Sequence, residues 1–337
     1  MVAYARFVVA LGVALVSACA PYVPPKPDTA PAPQTIFRFH AGLWANLHQV
    51  LVHEALSPRP GFDGPKSNRG KTMADLRELE PDQRAVFRGA LAVYDARFTT
   101  RNTFTDEHVA AVLALTAAGN APSLPPKDLT NDVFRALNEA APVYRARFWE
   151  SHQAVDRHYI ETIEPLVVRH GAWFVARLVA LWQTPWPSAP VDVEVTPAVP
   201  PFGASTVGEP PYEGVHAPLI VVSSFDLGYS GETGLEMLFH EGSHLLSGKV
   251  EAMIAASAKR QELSVSPRLW HDVLFFVAGR VARERLGPSY VPYAEVPAHT
   301  VLRAEQIEVL ERTWQPYLDG KTSLEAAVDA VVAASSR

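Results

Sequence analysis

Residues 233 to 248 read Thr-Gly-Leu-Glu-Met-Leu-Phe-His-Glu-Gly-Ser-His-Leu-Leu-Ser-Gly, and no other stretch restricts the fold as much. The pattern predicts a single helix. Thr233 and Glu236 have the S/T-x-x-E spacing of a capping box, in which each side chain satisfies a free backbone donor. Gly248 suits the left-handed position just past a helix end. Within the helix, His240 and His244 are four residues apart, so their rings project from one face and can grip one ion. Glu241 is rotated by about 100° from His240 and can reach a water on that ion without ligating it. Phe239, Leu245 and Leu246 flank the polar residues, which predicts a buried helix. The competing use of these histidines is as hydrogen-bonded members of a core.

The chain has 337 residues, room for one large domain or two small ones. Its net charge of -6 offers no footing for nucleic acid, and no such partner is expected. Residues 1 to 18 read as a signal segment: Arg6 opens it, and the apolar run Phe7 to Val16 is short for a membrane span. The run ends in Val16-Ser17-Ala18-Cys19, which resembles the lipobox of bacterial lipoproteins. That resemblance implies lipidation of Cys19, a membrane reached through an N-terminal lipid anchor, and residence in the cell envelope. Ala20 stands where the inner-membrane retention signal would place Asp, which points to the outer membrane of a diderm cell. Cys19 is the only cysteine, so no disulfide is expected. Residues 19 to 35 are Pro-rich and read as an extended tether.

From 36 to 188 the periodicity predicts a helical region, with helices at 42–56, 81–97, 105–118, 130–140, 142–164 and 171–182. Phe148, His152, Val155, Tyr159 and Ile163 form one apolar stripe along the fifth of these. His152 either lines a cleft or is a hydrogen-bonded core residue. His40, His48 and His53 accompany the apolar first helix and read as core. The character changes at about residue 189. Val191 to Val195 alternates as a half-buried strand does, and Leu219 to Ser223 is a fully apolar strand, with a Gly/Pro-rich loop at 200–217 between them. Helices are expected again at 267–285, 303–318 and 323–335. The expected class is α+β, predominantly helical, with a small sheet and the His240 helix packed against a helical N-terminal half. Residues 189–337 form the metal-binding region, and they are either separate from 36–188 or continuous with it.

The spelling H-E-x-x-H at 240–244, preceded by strand and loop, resembles the zincin metallopeptidases over roughly residues 190 to 295. The resemblance implies Zn2+ held by His240 and His244, a peptide or protein substrate pairing with an edge strand above the helix, and Glu241 as general base towards the zinc-bound water. A third ligand is required. The metzincin continuation is absent, since Ser247 and Val250 occupy its Gly and His places. The gluzincin Glu would fall near Glu262, which precedes the next helix. That helix opens on Ser266-Pro267 and carries His271 among Leu269, Trp270, Leu274 and Phe275, a polar residue in need of a partner. His271 is therefore the first candidate, with Glu251, Glu262 and Asp272 behind it. Tyr290 and Tyr293 are candidates to donate to the tetrahedral oxyanion. The expected function is an envelope-tethered zinc peptidase. The alternatives are an inactive zincin-fold lipoprotein that binds or scaffolds, and a metal-free helical envelope protein.

Overall fold

The computed structural model describes residues 36–56, 79–98, 106–125, 131–199, 203–207, 218–299 and 301–336. The signal segment, Cys19 and the tether lie outside the described residues. The fold is predominantly helical with one small sheet. Strand β1 (Phe37–His40) leads into α1 (Leu43–Leu56), followed by α2 (Pro81–Arg97), α3 (Asp106–Ala118) and α4 (Asp132–Arg147). These four helices enclose one apolar core built on Trp44, Leu51, Tyr94, Leu115, Leu137 and Tyr144.

Next comes α5 (Trp149–Trp182), a single helix of 34 residues. It replaces the two helices expected at 142–164 and 171–182, and the expected break falls instead at Phe148, with Pro142 inside α4 and Pro165 inside α5. The buried stripe of α5 runs through His152, Asp156, Tyr159, Ile163 and Val167, while Val155 is exposed. The stripe matches the apolar reading at His152, Tyr159 and Ile163 and departs from it at one position, where Asp156 instead of Val155 faces inward.

The sheet has the order β1-β2-β4-β3, with β2 at Val191–Thr196, β3 at Ala204–Val207 and β4 at Leu219–Ser223. Strands β1, β2 and β4 are parallel, and β3 runs antiparallel to β4 at the edge. Two of the four strands, β1 and β3, were not expected. Each is four residues long, β1 gains its ladder from β2 some 154 residues away, and β3 gains its ladder from β4, the next strand in the chain. The sheet, the buried face of α5 and the C-terminal helices share the second core, which includes Phe37, Phe174, Val193, Ile220 and Phe239.

Helix α6 (Gly231–His244) lies in that core and carries the histidine pair. It starts at Gly231, two residues before the expected cap at Thr233, and its N-cap Ser230 makes no side-chain capping bond. Gly248 does not end this helix. It opens α7 (Gly248–Gln261), a helix that the sequence pattern did not predict. Then follow α8 (Leu269–Leu286), α9 (Ala304–Thr313), α10 (Gln315–Leu318) and α11 (Leu324–Ala334). No helix among the described residues is long and apolar enough to cross a membrane.

Candidate metal centre

Helices α6 and α8 pack closely, and their contact brings three histidines together. His240, His244 and His271 each offer a ring nitrogen, all within 4.8 Å of one another. The ring centroids form a nearly equilateral triangle: 5.3 Å for His240 to His244, 5.4 Å for His240 to His271 and 5.2 Å for His244 to His271. The first two rings meet because one helical turn separates them. The third comes from the first turn of α8. Aromatic side chains fix all three: Phe275 lies 3.9 Å from the His240 ring, and Trp270 lies 5.5 Å from His244 and 5.2 Å from His271.

This cluster can hold a metal ion. Burial drives His240 well below the ordinary imidazole range, assisted by its two histidine neighbours. Burial likewise lowers His271 to about 3, with His244 and Arg268 contributing. At neutral pH both rings are therefore uncharged, the form that ligates. His240 Nδ1 is buried without a hydrogen-bond partner, a state that costs free energy unless something else uses the ring. Three imidazole nitrogens are a donor set suited to borderline divalent ions such as Zn, Cu and Ni.

The other candidate ligands point elsewhere. Glu251 and Glu262 are exposed, and Glu262 is the left-handed residue that ends α7. Asp272 accepts a 2.8 Å bond from Gln306 Nε2. Of the other histidines, His152 is a buried core residue bonded to Tyr144 Oη at 2.8 Å, and His48 is paired with Tyr94 Oη at 2.7 Å.

Glu241 is buried beside the triangle. The Thr206 hydroxyl, on edge strand β3, lies 2.8 Å from Glu241 Oε2 and 2.8 Å from the Glu241 carbonyl, so the carboxyl and carbonyl groups of Glu241 share one donor. The sequence reading missed Thr206, because the β3 segment reads as Gly/Pro-rich loop. It also missed Tyr229. This buried phenol is pushed up by burial first, then by Tyr293 and Glu241, which places it next to both. The hydrogen bond from Tyr229 pulls Tyr293 the opposite way, against a larger rise from burial. Tyr293 stacks at 4.0 Å on His299, whose Nδ1 meets the Tyr293 carbonyl at 2.8 Å, and it lies parallel to Phe275 at 6.4 Å.

Tyr290 has a different task. Its hydroxyl donates to Glu236 Oε2 at 2.6 Å, and the Tyr293 backbone N–H donates to the same carboxyl at 3.0 Å. Glu236 is thus not a capping residue. It is fully buried and raised to about 7 by burial, with the Tyr290 and Tyr293 bonds opposing the rise. It ties the 290–293 segment down onto α6. Comparison with protein-family models, curated proteins and solved structures returns no match for this chain.

Proposed function

We propose that this chain is a zincin-like, zinc-dependent peptidase tethered to the cell envelope through Cys19. The observation that carries the reading is the convergence of His271 on the His240/His244 pair, with Glu241 buried alongside and held by the edge strand. His240, His244 and His271 would hold Zn2+. When bound, zinc supplies Lewis acidity to a scissile carbonyl and to a water molecule.

The chain's own residues account for the rest. Glu241, accepting from Thr206, takes a proton from a water beside the three histidines and returns it to the leaving amine. Tyr293 accepts from Tyr229 and keeps its own hydroxyl proton to donate to the oxygen that gains charge. Among the described residues strand β3 pairs with β4 on one side only, and its other edge is where an extended peptide backbone adds as a further strand. Thr206 links that edge to the base, so substrate register and proton transfer share one strand.

The test is a set of peptide and cell-wall substrates offered to the purified chain, with metal analysis alongside. Glu241→Gln is expected to keep one zinc per chain while hydrolysis falls by about 10²-fold or more. Equal turnover by this variant removes Glu241 from the mechanism. No hydrolysis by the parent chain, with zinc bound, leaves the inactive binding lipoprotein as the better reading.

A further inference from the structure

The inward stripe of α5 carries Asp156, fully buried where the helical half meets the sheet. Ser224, just past β4, donates its hydroxyl to Asp156 Oδ1 at 2.7 Å. Glu194, in β2, is also fully buried, and Gly42 N–H donates to its Oε1 at 2.6 Å. Asn46, on α1, is buried between them. Its Nδ2 donates to the Gly42 and Val195 carbonyls, both at 3.1 Å, which fixes the orientation of the amide. Three acceptor oxygens are left over, Asp156 Oδ2, Glu194 Oε2 and Asn46 Oδ1, all buried with no hydrogen-bond partner, and against them stands the spare hydroxyl of Thr116, which is likewise buried and unpartnered and lies beside Glu194. With both carboxyls ionised all three can only accept, and among the described residues no cationic side chain forms an ion pair with either carboxyl. Two bare carboxylates in such a place would be very costly.

We propose that Asp156 and Glu194 are carried as neutral carboxylic acids whose protons supply the donors this cluster lacks, forming a clasp between helical half and sheet that opens when they ionise. A protonated carboxyl has an O–H to give, so each proton turns a surplus acceptor into a donor. A hard cation is the rival occupant. It needs six or more oxygens, whereas the nearby Gly42 carbonyl already accepts from both Asn46 N and Asn46 Nδ2, and the Thr196 carbonyl accepts from the Ser224 backbone N–H.

The neighbouring groups agree with protonation. Burial, then the Glu194 charge, pushes Asp156 up to about 8, against opposition from Ser224 and Asn46. Burial pushes Glu194 up to about 7, and Asp192 adds to the rise while Gly42 N–H and Thr116 oppose it. The other titratable groups facing the cluster are Tyr144 on α4 and His152 on α5. Burial raises Tyr144 and lowers His152 to about 4, so both are neutral. On the same face of β2, two residues before Glu194, Asp192 is itself paired with Arg38 and His40.

Linkage fixes the direction of the pH effect. Both carboxyls are raised above their unfolded values of about 3.9 and 4.3, so the fold binds more protons than the unfolded chain over the interval between. The stability they contribute is whole below about pH 4 and is lost as pH rises through about 7 and 8.

Urea unfolding of the full chain from about pH 5 to about pH 9 tests this, comparing the parent with Asp156→Asn plus Glu194→Gln. The amides reproduce the neutral acids but cannot ionise. The parent's unfolding constant is expected to rise by up to about tenfold per pH unit for each retained proton, and the double variant's profile to be flatter by that amount. Infrared spectra of the folded parent give a second readout, a neutral-carboxyl band at pH 6 that weakens by pH 9 and is reduced in Asp156→Asn alone. Parallel stability profiles, or no such band at pH 6, would overturn the proposal. So would stabilisation by Ca2+ or Na+ that disappears in the double variant, which would make the cluster a cation site.

Discussion

At the residue scale, the candidate site depends on a few side chains whose partners come from distant parts of the chain. Thr206 shows this best. Its hydroxyl donates to the Glu241 carboxylate, and the two residues are 35 positions apart. Thr206→Val keeps the shape and removes the donor, leaving a buried carboxylate short of a hydrogen bond worth about 1.5–3 kcal/mol. Turnover is expected to fall by about tenfold or more with metal content unchanged, and Thr206→Ser is expected to recover most of it. Steady-state kinetics with metal analysis on both variants checks this, and a metal loss in Thr206→Val would reassign the threonine to the architecture of the centre. Glu236 makes a related point. Its spacing from Thr233 imitates a capping box, yet the helix begins earlier and the carboxyl is spent on Tyr290 and the Tyr293 N–H. Local spacing alone cannot distinguish these two uses, because both satisfy a carboxylate with nearby donors.

At the scale of elements, α6 is held by close approaches that only glycine allows. A Cβ at Gly234 would stand 2.2 Å from the Tyr229 carbonyl oxygen, and one at Gly242 would stand 2.4 Å from the Trp186 ring. In an isolated helix, exchanging either glycine for alanine would be favourable. Here packing wins, and Gly234→Ala and Gly242→Ala are each expected to cost about 1–3 kcal/mol. A Cβ at Gly248, at the start of α7, would meet nothing within 4 Å, and the residue has no positive φ, so Gly248→Ala is expected to be neutral or mildly stabilising. Thermal melts of the three variants separate packing from propensity, and equal shifts in all three would refute the close-approach account. The helices themselves were largely legible: α1, α2, α3 and α8 lie within about two residues of where periodicity and caps put them. The short strands β1 and β3 were not, since four residues carry too little pattern and their ladders are made with β2 and β4.

At the scale of the molecule, the three histidines that could hold a metal ion join α6 to α8, and thereby the sheet side of the core to the C-terminal helices. An ion bound only by the folded chain stabilises it by mass action, about 2.7 kcal/mol when free metal is about a hundredfold above Kd. Chelation is expected to lower the melting temperature by several degrees, and Zn2+ to restore it. His271→Ala is expected to abolish both responses, because two ligands on one helix cannot bridge to a second. A chelator response that survives in His271→Ala would place the stabilising ion elsewhere. The helical half has an apolar core of its own beside the one it shares with the sheet.

The amino-acid order by itself determined the histidine pair, the carboxyl group of Glu241 beside it and the helix carrying them, since i to i+4 geometry is a property of any helix wherever it packs. It also marked His271, through the cost of an imidazole on an apolar segment. Only the tertiary structure decided that this third ring closes the triangle, that Thr206 reaches Glu241, that Asp156 rather than Val155 faces inward, and that Glu236 clamps a loop. Each of these depends on which groups from remote segments meet in a place without water, where an unmet polar atom is expensive. Burial of that kind belongs to the packed whole and leaves no local pattern to read.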